Sequence, residues 1–126
     1  MADGQLQKYA DGTDSGWVEL TNSTVYSGKI LYRQIGKIVC VIIHQIKLLE
    51  SFSSSWVALL PNGSLPVPMQ TATTIAGAND FYRLGMCQIN TSGALVFYRF
   101  PNNSAIGNTE YPANANIFME MTYMVA

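Results

Sequence analysis

The sequence predicts an all-β fold built as a single domain, an antiparallel β-sandwich of jelly-roll-like type or a barrel. Three observations carry this. Short runs of β-branched, aromatic and aliphatic residues recur along the chain, separated by clusters of Gly, Pro, Asn, Asp and Ser. Within Lys29–Leu49, KILYRQIGKIVCVIIHQIKLL, two such runs flank Gln34-Ile35-Gly36-Lys37, which reads as a hairpin turn with Gly36 supplying a positive φ. The last run alternates cleanly, with Ile117, Met119, Met121, Tyr123 and Val125 on one face and Phe118, Glu120, Thr122 and Met124 on the other. No stretch shows a competing helical period.

In chain order, the polar leader Met1–Ser15 reads as a linker or neck stub, without the apolar core of a secretory signal, and the domain runs from Gly16 to Ala126. Trp17–Leu20 is a short strand, closed by the turn Asn22-Ser23-Thr24. The hairpin of Lys29–Gln34 and Lys37–Leu49 follows. In its second run Ile38, Cys40, Ile42 and Ile46 point one way, and Val39, Val41 and Ile43 the other. Both sides are apolar, but only one can meet the core of a small sandwich. The segment Val39, Cys40, Val41, Ile42, Ile43 and His44 is therefore the expected oligomer interface. Trp56–Leu60 is a strand ended by Pro61-Asn62-Gly63-Ser64, and Pro66 and Pro68 allow only an edge or an extended connection. Gln70–Ile75 is a strand and Ala76–Asp80 a loop. Tyr82–Asn90 and Ala94–Phe100 form a second hairpin across Thr91-Ser92-Gly93, and Pro101–Asn116 is a long polar loop.

Composition narrows the function. A chain of 126 residues can bury a core without metal or disulfide staples. Charged residues make up only 12%, about half the usual share, so polar uncharged side chains or a subunit contact must cover much of the surface. A net charge of −1 without a basic cluster offers nothing to nucleic acid or anionic lipid. The apolar stretch around Ile38–Leu49 is interrupted by His44, Gln45 and Lys47 and is too short to span a membrane, which takes ~20 apolar residues. Cys40 and Cys87 read as buried free thiols, with a disulfide between adjacent strands left open.

Residues for catalysis are scarce. The single histidine, His44, sits mid-strand beside Cys40 and Ile42 and reads as a structural, hydrogen-bonded imidazole without a nucleophilic relay. The carboxylates Asp80, Glu110 and Glu120, with Glu19 and Glu50 behind them, are the candidates for the facing pair of a glycosidase, but none sits in a recognisable context, and Glu120 falls on the outer face of the last strand. No phosphate-cradling glycine loop occurs, and no cysteine–histidine cluster has metal spacing, so no cofactor or metal is expected. The sequons at Asn22, Asn62, Asn90 and Asn102 each coincide with a turn, where Asn and Ser are favoured for local hydrogen bonding. Recognition chemistry is better supplied. Sugars are bound by aromatic faces with planar amide and guanidinium groups, and Trp56, Tyr82, Arg83, Tyr98, Arg99, Asn102, Asn103, Tyr111 and Asn114 offer these at strand ends and loops. The long loop holding Tyr111 is the expected centre of such a site.

The order Gly16-Trp17-x-x-Leu20, Tyr32-Arg33-x-x-Gly36-x-x-Val39, Leu60-Pro61-x-Gly63 with prolines close behind, and Ile89-Asn90-Thr91-Ser92-Gly93-x-Leu95-Val96 resembles the C-terminal domains of tailed-phage and prophage tail-fibre or baseplate proteins. The resemblance spans nearly everything from Ser15 onward. It implies a homotrimeric β-sandwich head of a receptor-binding protein, non-enzymatic, attaching to a bacterial surface saccharide or teichoic acid. It further implies contact with other tail or baseplate proteins and a place in the virion tail, assembled in the bacterial cytoplasm and displayed outside it. The competing expectation is a structural tail module that never touches the host. The family varies most in its loops, so the resemblance hands over no binding residues.

Overall fold

The computed structural model describes residues 14–51, 56–78, 83–99 and 113–125, apart from the side chains of Arg83 and Arg99. Nine strands lie within them: β1 (Val18–Leu20), β2 (Tyr26–Gly28), β3 (Ile30–Ile35), β4 (Ile38–Leu48), β5 (Trp56–Leu60), β6 (Ala72–Ala78), β7 (Arg83–Ile89), β8 (Leu95–Arg99) and β9 (Asn116–Met124). The fold is all-β and antiparallel, as the alternation requires. The strands form one sheet in the order β1-β3-β4-β9-β6-β7-β8-β5, with β2 alongside β4.

The sheet curls. Asn22, in the loop after the edge strand β1, donates its Nδ2 to the carbonyl of Leu59 in β5, the opposite edge, at 2.9 Å. Curling brings the inner faces of the two halves together around one core. Ile30, Val39, Val41, Ile43 and Ile117 enter it from one half, and Leu59, Ile89, Leu95 and Phe97 from the other. Each fully buried aliphatic or aromatic side chain of this kind contributes ~1.5–3 kcal/mol relative to exposure.

The expected hairpins form. Ile35 and Ile38 pair directly across Gly36-Lys37, and Gly36 has φ 60°. The positive φ falls at the first central position, which is the requirement of a II′ turn. β7 and β8 pair from Gly85↔Arg99 to Ile89↔Leu95 across the Asn90–Ala94 connection. In β9, Ile117, Met119, Met121 and Tyr123 are buried, while Glu120, Thr122 and Met124 face solvent. The Tyr123 hydroxyl donates to the carbonyl of Pro66 at 2.7 Å, which ties the extended proline segment to the end of β9. Among the described residues the first pairing is at Asp14, which bridges to Ile35 just ahead of the expected domain start. Its carboxylate receives Arg33 Nε and Nη2 at 3.1 and 2.8 Å, and that guanidinium holds the Asp14 pKa down at about 2.

Four expectations are corrected. β4 does not alternate throughout: between Ile43 and Ile46 its register against β9 shifts by one residue, so Ile46 is buried with Val39, Val41 and Ile43 instead of facing outward with Cys40 and Ile42. Strand β2 was not expected; it pairs with the part of β4 beyond this bulge, Tyr26↔Leu48 to Gly28↔Ile46. Ala76, Gly77 and Ala78 belong to β6 and not to a loop. Gly77 and Ala78 pair with both β7 and β9, and a ladder on each side outweighs the poor strand propensity of Gly and Ala. Finally, Cys40 is only partly buried, not the buried thiol expected, while Cys87 is a buried free thiol as expected, and the adjacent-strand disulfide left open does not form. Cys40 lies on the outer face of β4, and Cys87 is buried in β7, with β9 and β6 between them. Burial pushes the Cys87 thiol pKa well above its ordinary value. No helix among the described residues is long and apolar enough to cross a membrane.

Candidate functional site

On the face of the sheet away from the core, Trp56 of β5 stands directly opposite Tyr98 of β8, and Tyr98 opposite Met86 of β7. Alternation puts them there. Val57, Leu59, Leu95 and Phe97 turn inward, so Trp56, Ala58, Val96 and Tyr98 must turn outward. Trp56 is 52% exposed. Gly85 sets how closely β7 and β8 approach at this point. A Cβ there would lie 2.5 Å from Phe97 Cζ and 2.6 Å from the Tyr98 carbonyl, so the packing of the Phe97 ring in the core behind the groove requires a bare backbone at this position.

These residues border a groove of about 430 Å³, within the ~300–1,000 Å³ range of small-molecule sites. Trp56 and Tyr98 form its aromatic walls and Ala58, Ala94 and Val96 a floor of small aliphatic side chains, while Pro61, Asn62 and Asn90 stand at one end. The Tyr98 hydroxyl donates to Gln88 Oε1 at 3.2 Å, which anchors the ring. Asn90 Oδ1 accepts the backbone N–H groups of Ser92 and Ala94 at 2.9 and 3.2 Å. Those two bonds orient the amide and leave Nδ2 as a donor. Among the described residues, neither Asn90 Nδ2 nor the Asn62 amide has a protein partner. No charged side chain appears among the described lining residues.

Two turns zip together to bring Asn62 and Asn90 to one place. Gly63 N–H donates to the Ser92 carbonyl at 2.8 Å and Leu65 N–H to the Gly93 carbonyl at 3.0 Å. Turn chemistry, the expectation for the sequons at Asn62 and Asn90, holds for Asn90, whose side chain caps its own turn. That both amides also line the groove is beyond what the sequence shows. No local signal marks it, because it depends on which two turns meet.

A second groove of about 440 Å³ crosses the same face over β4, β9, β6 and β7, lined chiefly by Ile42, His44, Ile75, Leu84, Phe118 and Glu120. Gly77, paired with Phe118 on one side and Leu84 on the other, leaves its floor open. The groove is apolar apart from the exposed His44 and Glu120.

Of the expected sugar-contacting residues, Trp56 and Tyr98 are brought together. Arg83 begins β7 and Arg99 ends β8, with their side chains outside the described residues, as are Tyr82, Asn102, Asn103 and Tyr111. Asn114 lines neither groove. It occupies the turn before β9 with φ 67°, a conformation Asn tolerates better than most residues, and its N–H donates to the Leu48 carbonyl at 2.6 Å. Of the expected interface residues, Val39, Val41 and Ile43 are buried inside the chain's own core, so only Cys40, Ile42 and His44 present side chains outward. His44 is exposed beside the bulge and not enclosed as a structural imidazole. Among the carboxylates, Glu19 pairs with Lys29 at 3.0 Å, Glu50 is exposed, and Glu120 faces outward as expected. Asp80 and Glu110 lie outside the described residues. Comparison of the chain with protein-family models, curated proteins and solved structures finds no match.

Proposed function

We propose that this chain is the non-enzymatic host-recognition head of a phage tail fibre or receptor-binding protein, displayed on the virion tail and attaching to a saccharide or teichoic acid of the bacterial surface. The observation that carries the reading is the Trp56–Tyr98 groove. Aromatic walls pack against the C–H faces of a pyranose, and the Asn62 and Asn90 amides supply in-plane hydrogen bonds at its end. The order of sequence motifs supports the phage context. Of the described carboxylates only Glu120 lines either groove, so the described residues bring no acid–base pair to them.

Homotrimer formation belongs to the same proposal. Its support is the apolar character of the outer face, where Ile38 and Met124 pair and are each about half exposed, and where Ile75 is 66% exposed. With charge limited to 12% of residues, such a face favours a subunit contact. The apolar second groove also favours a competing reading, a structural tail module that uses this face to dock neighbouring tail proteins.

Binding of the purified chain to host cell-wall polysaccharide, measured for the native protein and for Trp56→Ala, tests the proposal. Saturable binding that Trp56→Ala abolishes without lowering the melting temperature supports the head. Absence of binding by a correctly folded chain favours the structural module. Light scattering on the eluting protein completes the test, with a mass near three times 13.8 kDa expected for the trimer.

A further inference from the structure

From the lining of the Trp56–Tyr98 groove we infer a narrower ligand class: a neutral polysaccharide unit carrying an N-acylated amino group, an N-acetylhexosamine. The inference rests on reading this groove as a saccharide site. Three features select the class. The first is charge. A phosphodiester or uronate buried against this lining would meet Trp, Tyr, Asn, Pro, Leu, Val and Ala side chains with no described cation beside it, and an anion without a partner carries a large desolvation cost.

The second feature is the polarity of Asn90, one of the two amides at the groove end. Asn90 has committed its carbonyl oxygen to the Ser92 and Ala94 N–H groups, so it presents N–H donors and nothing else. Sugar hydroxyls donate and accept, and serve either kind of partner. An acetamido carbonyl only accepts, and is the group that a donor-only amide selects. The third is the floor. Ala58, Ala94 and Val96 form a small apolar recess next to that donor. The acetamido methyl buries there favourably, whereas a hydroxyl in the same place would lose its water without a partner.

The experiment measures binding of the full chain to N-acetylglucosamine and N-acetylgalactosamine trisaccharides, to the matching glucose and galactose trisaccharides, and to a poly(glycerol phosphate) chain. At least one acetamido sugar is expected to bind about tenfold or more tightly than its hydroxyl counterpart, the scale of one hydrogen bond plus a buried methyl. Asn90→Asp keeps the acceptor oxygen that caps the turn and removes the donor. It is expected to hold the native melting temperature and to erase the acetamido preference. Ala58→Leu, which fills the recess without touching the turn, is expected to erase it as well and serves if Asn90→Asp fails to fold. Peptidoglycan glycan strands and an acetamido-bearing wall polysaccharide form two further arms. Binding to either with the same variant dependence supports the inference and identifies the source.

Equal affinity for acetamido and hydroxyl sugars, or a preference that survives both variants, overturns the acyl selection and leaves the saccharide groove standing. Binding confined to poly(glycerol phosphate) overturns it in favour of teichoic acid. No binding to any probe, with Trp56→Ala equally silent on host polysaccharide, overturns both this inference and the saccharide reading beneath it.

Discussion

Strands β4 and β9 lie side by side for most of their length and differ by one residue of backbone. They pair from Ile38↔Met124 to Ile43↔Met119 and again at Ile46↔Ile117 and Lys47↔Asn116, so that His44 and Gln45 together oppose Phe118 alone. β9 alternates from end to end, whereas β4 changes parity at the bulge. Period two assigns faces only within an uninterrupted ladder. A single extra residue returns Ile46 and Leu48 to the core and leaves His44 and Gln45 both exposed. Gln45 Nε2 donates to Asn116 Oδ1 at 3.1 Å, and His44 becomes part of the rim of the apolar outer groove. The irregular strand gives that groove His44 on its rim, and the regular one gives it Glu120.

Single-residue deletions separate the two strands most. Removing Glu120 from β9 would move either Met121 and Tyr123 or Ile117 and Met119 off the core face. Losing two such side chains forfeits ~3–6 kcal/mol, comparable with the whole stability of a small domain, ~5–15 kcal/mol. The expected outcome is a chain without a cooperative thermal transition. Removing Gln45 from β4 should do far less, because Val39, Val41, Ile43, Ile46 and Leu48 then alternate without interruption. A loss of about 1–2 kcal/mol in denaturant unfolding is expected, for the lost side-chain bond and local rearrangement. Equal damage from the two deletions would show that the extra residue is indispensable.

Gly28 sharpens the same contrast from the neighbouring strand. It faces Ile46 with φ 104°, and a Cβ there would stand 3.0 Å from the Gln45 carbonyl. Gly28→Val is expected to cost about 2 kcal/mol through backbone strain and crowding, read as a lower midpoint in chemical unfolding. The Gln45 deletion should recover part of that loss by withdrawing the carbonyl. Additive effects of the two changes would mean that Gly28 and the bulge are independent.

Alkaline stability compares the two regions through their tyrosines. Tyr26 of β2 packs beside the post-bulge half of β4, and burial raises its pKa to about 12; burial also raises that of Tyr123 in β9, with a further contribution from Tyr32. A phenol whose pKa is raised by folding adds stability below its unfolded value, near 10, and loses it as pH climbs through the folded value. The melting temperature should therefore hold to about pH 9–10 and fall toward 12. Tyr26→Phe and Tyr123→Phe should each flatten part of that fall, and phenolate absorbance should lag in the native protein. An unchanged alkaline limb in both variants would place the sensitivity elsewhere, with the Cys87 thiol the next group to test.

The smallest effect lies at the start of the described chain. Asp14, lowered chiefly by its bonds from Arg33 and then from the Gly16 N–H, contributes stability above its unfolded pKa of 3.8 and loses it as pH falls toward about 2. The pair is partly exposed, so Arg33→Gln should barely change the melting temperature at neutral pH and should reduce its slope between pH 4 and 2 only slightly. A large loss at neutral pH would give this edge contact a weight that its exposure argues against.

Legibility in the sequence divides along the same line. The Gly36 hairpin, the β7–β8 hairpin and the two faces of β9 were readable because each is encoded over a few neighbouring residues, by a turn glycine or by strict alternation. Trp56 and Tyr98 were readable as aromatic residues at strand ends, though not as cross-strand partners. Asn62 and Asn90 were hidden behind a sound local explanation, since turn chemistry accounts for their type without any groove.

By itself, then, the sequence determined the all-β class, the position of the principal turns and the chemistry available for recognition. All of these follow from interactions that span a few bonds along the chain or one step across a hairpin. Only the tertiary structure decided that Ile46 turns inward, that Ala76–Ala78 continues a strand and that Cys40 and Cys87 stand apart. It also set the two asparagine turns against each other beside Trp56 and Tyr98. These outcomes depend on which distant strands become neighbours. That choice is made by burying one shared core, and the same local sequence is compatible with more than one answer until the core closes.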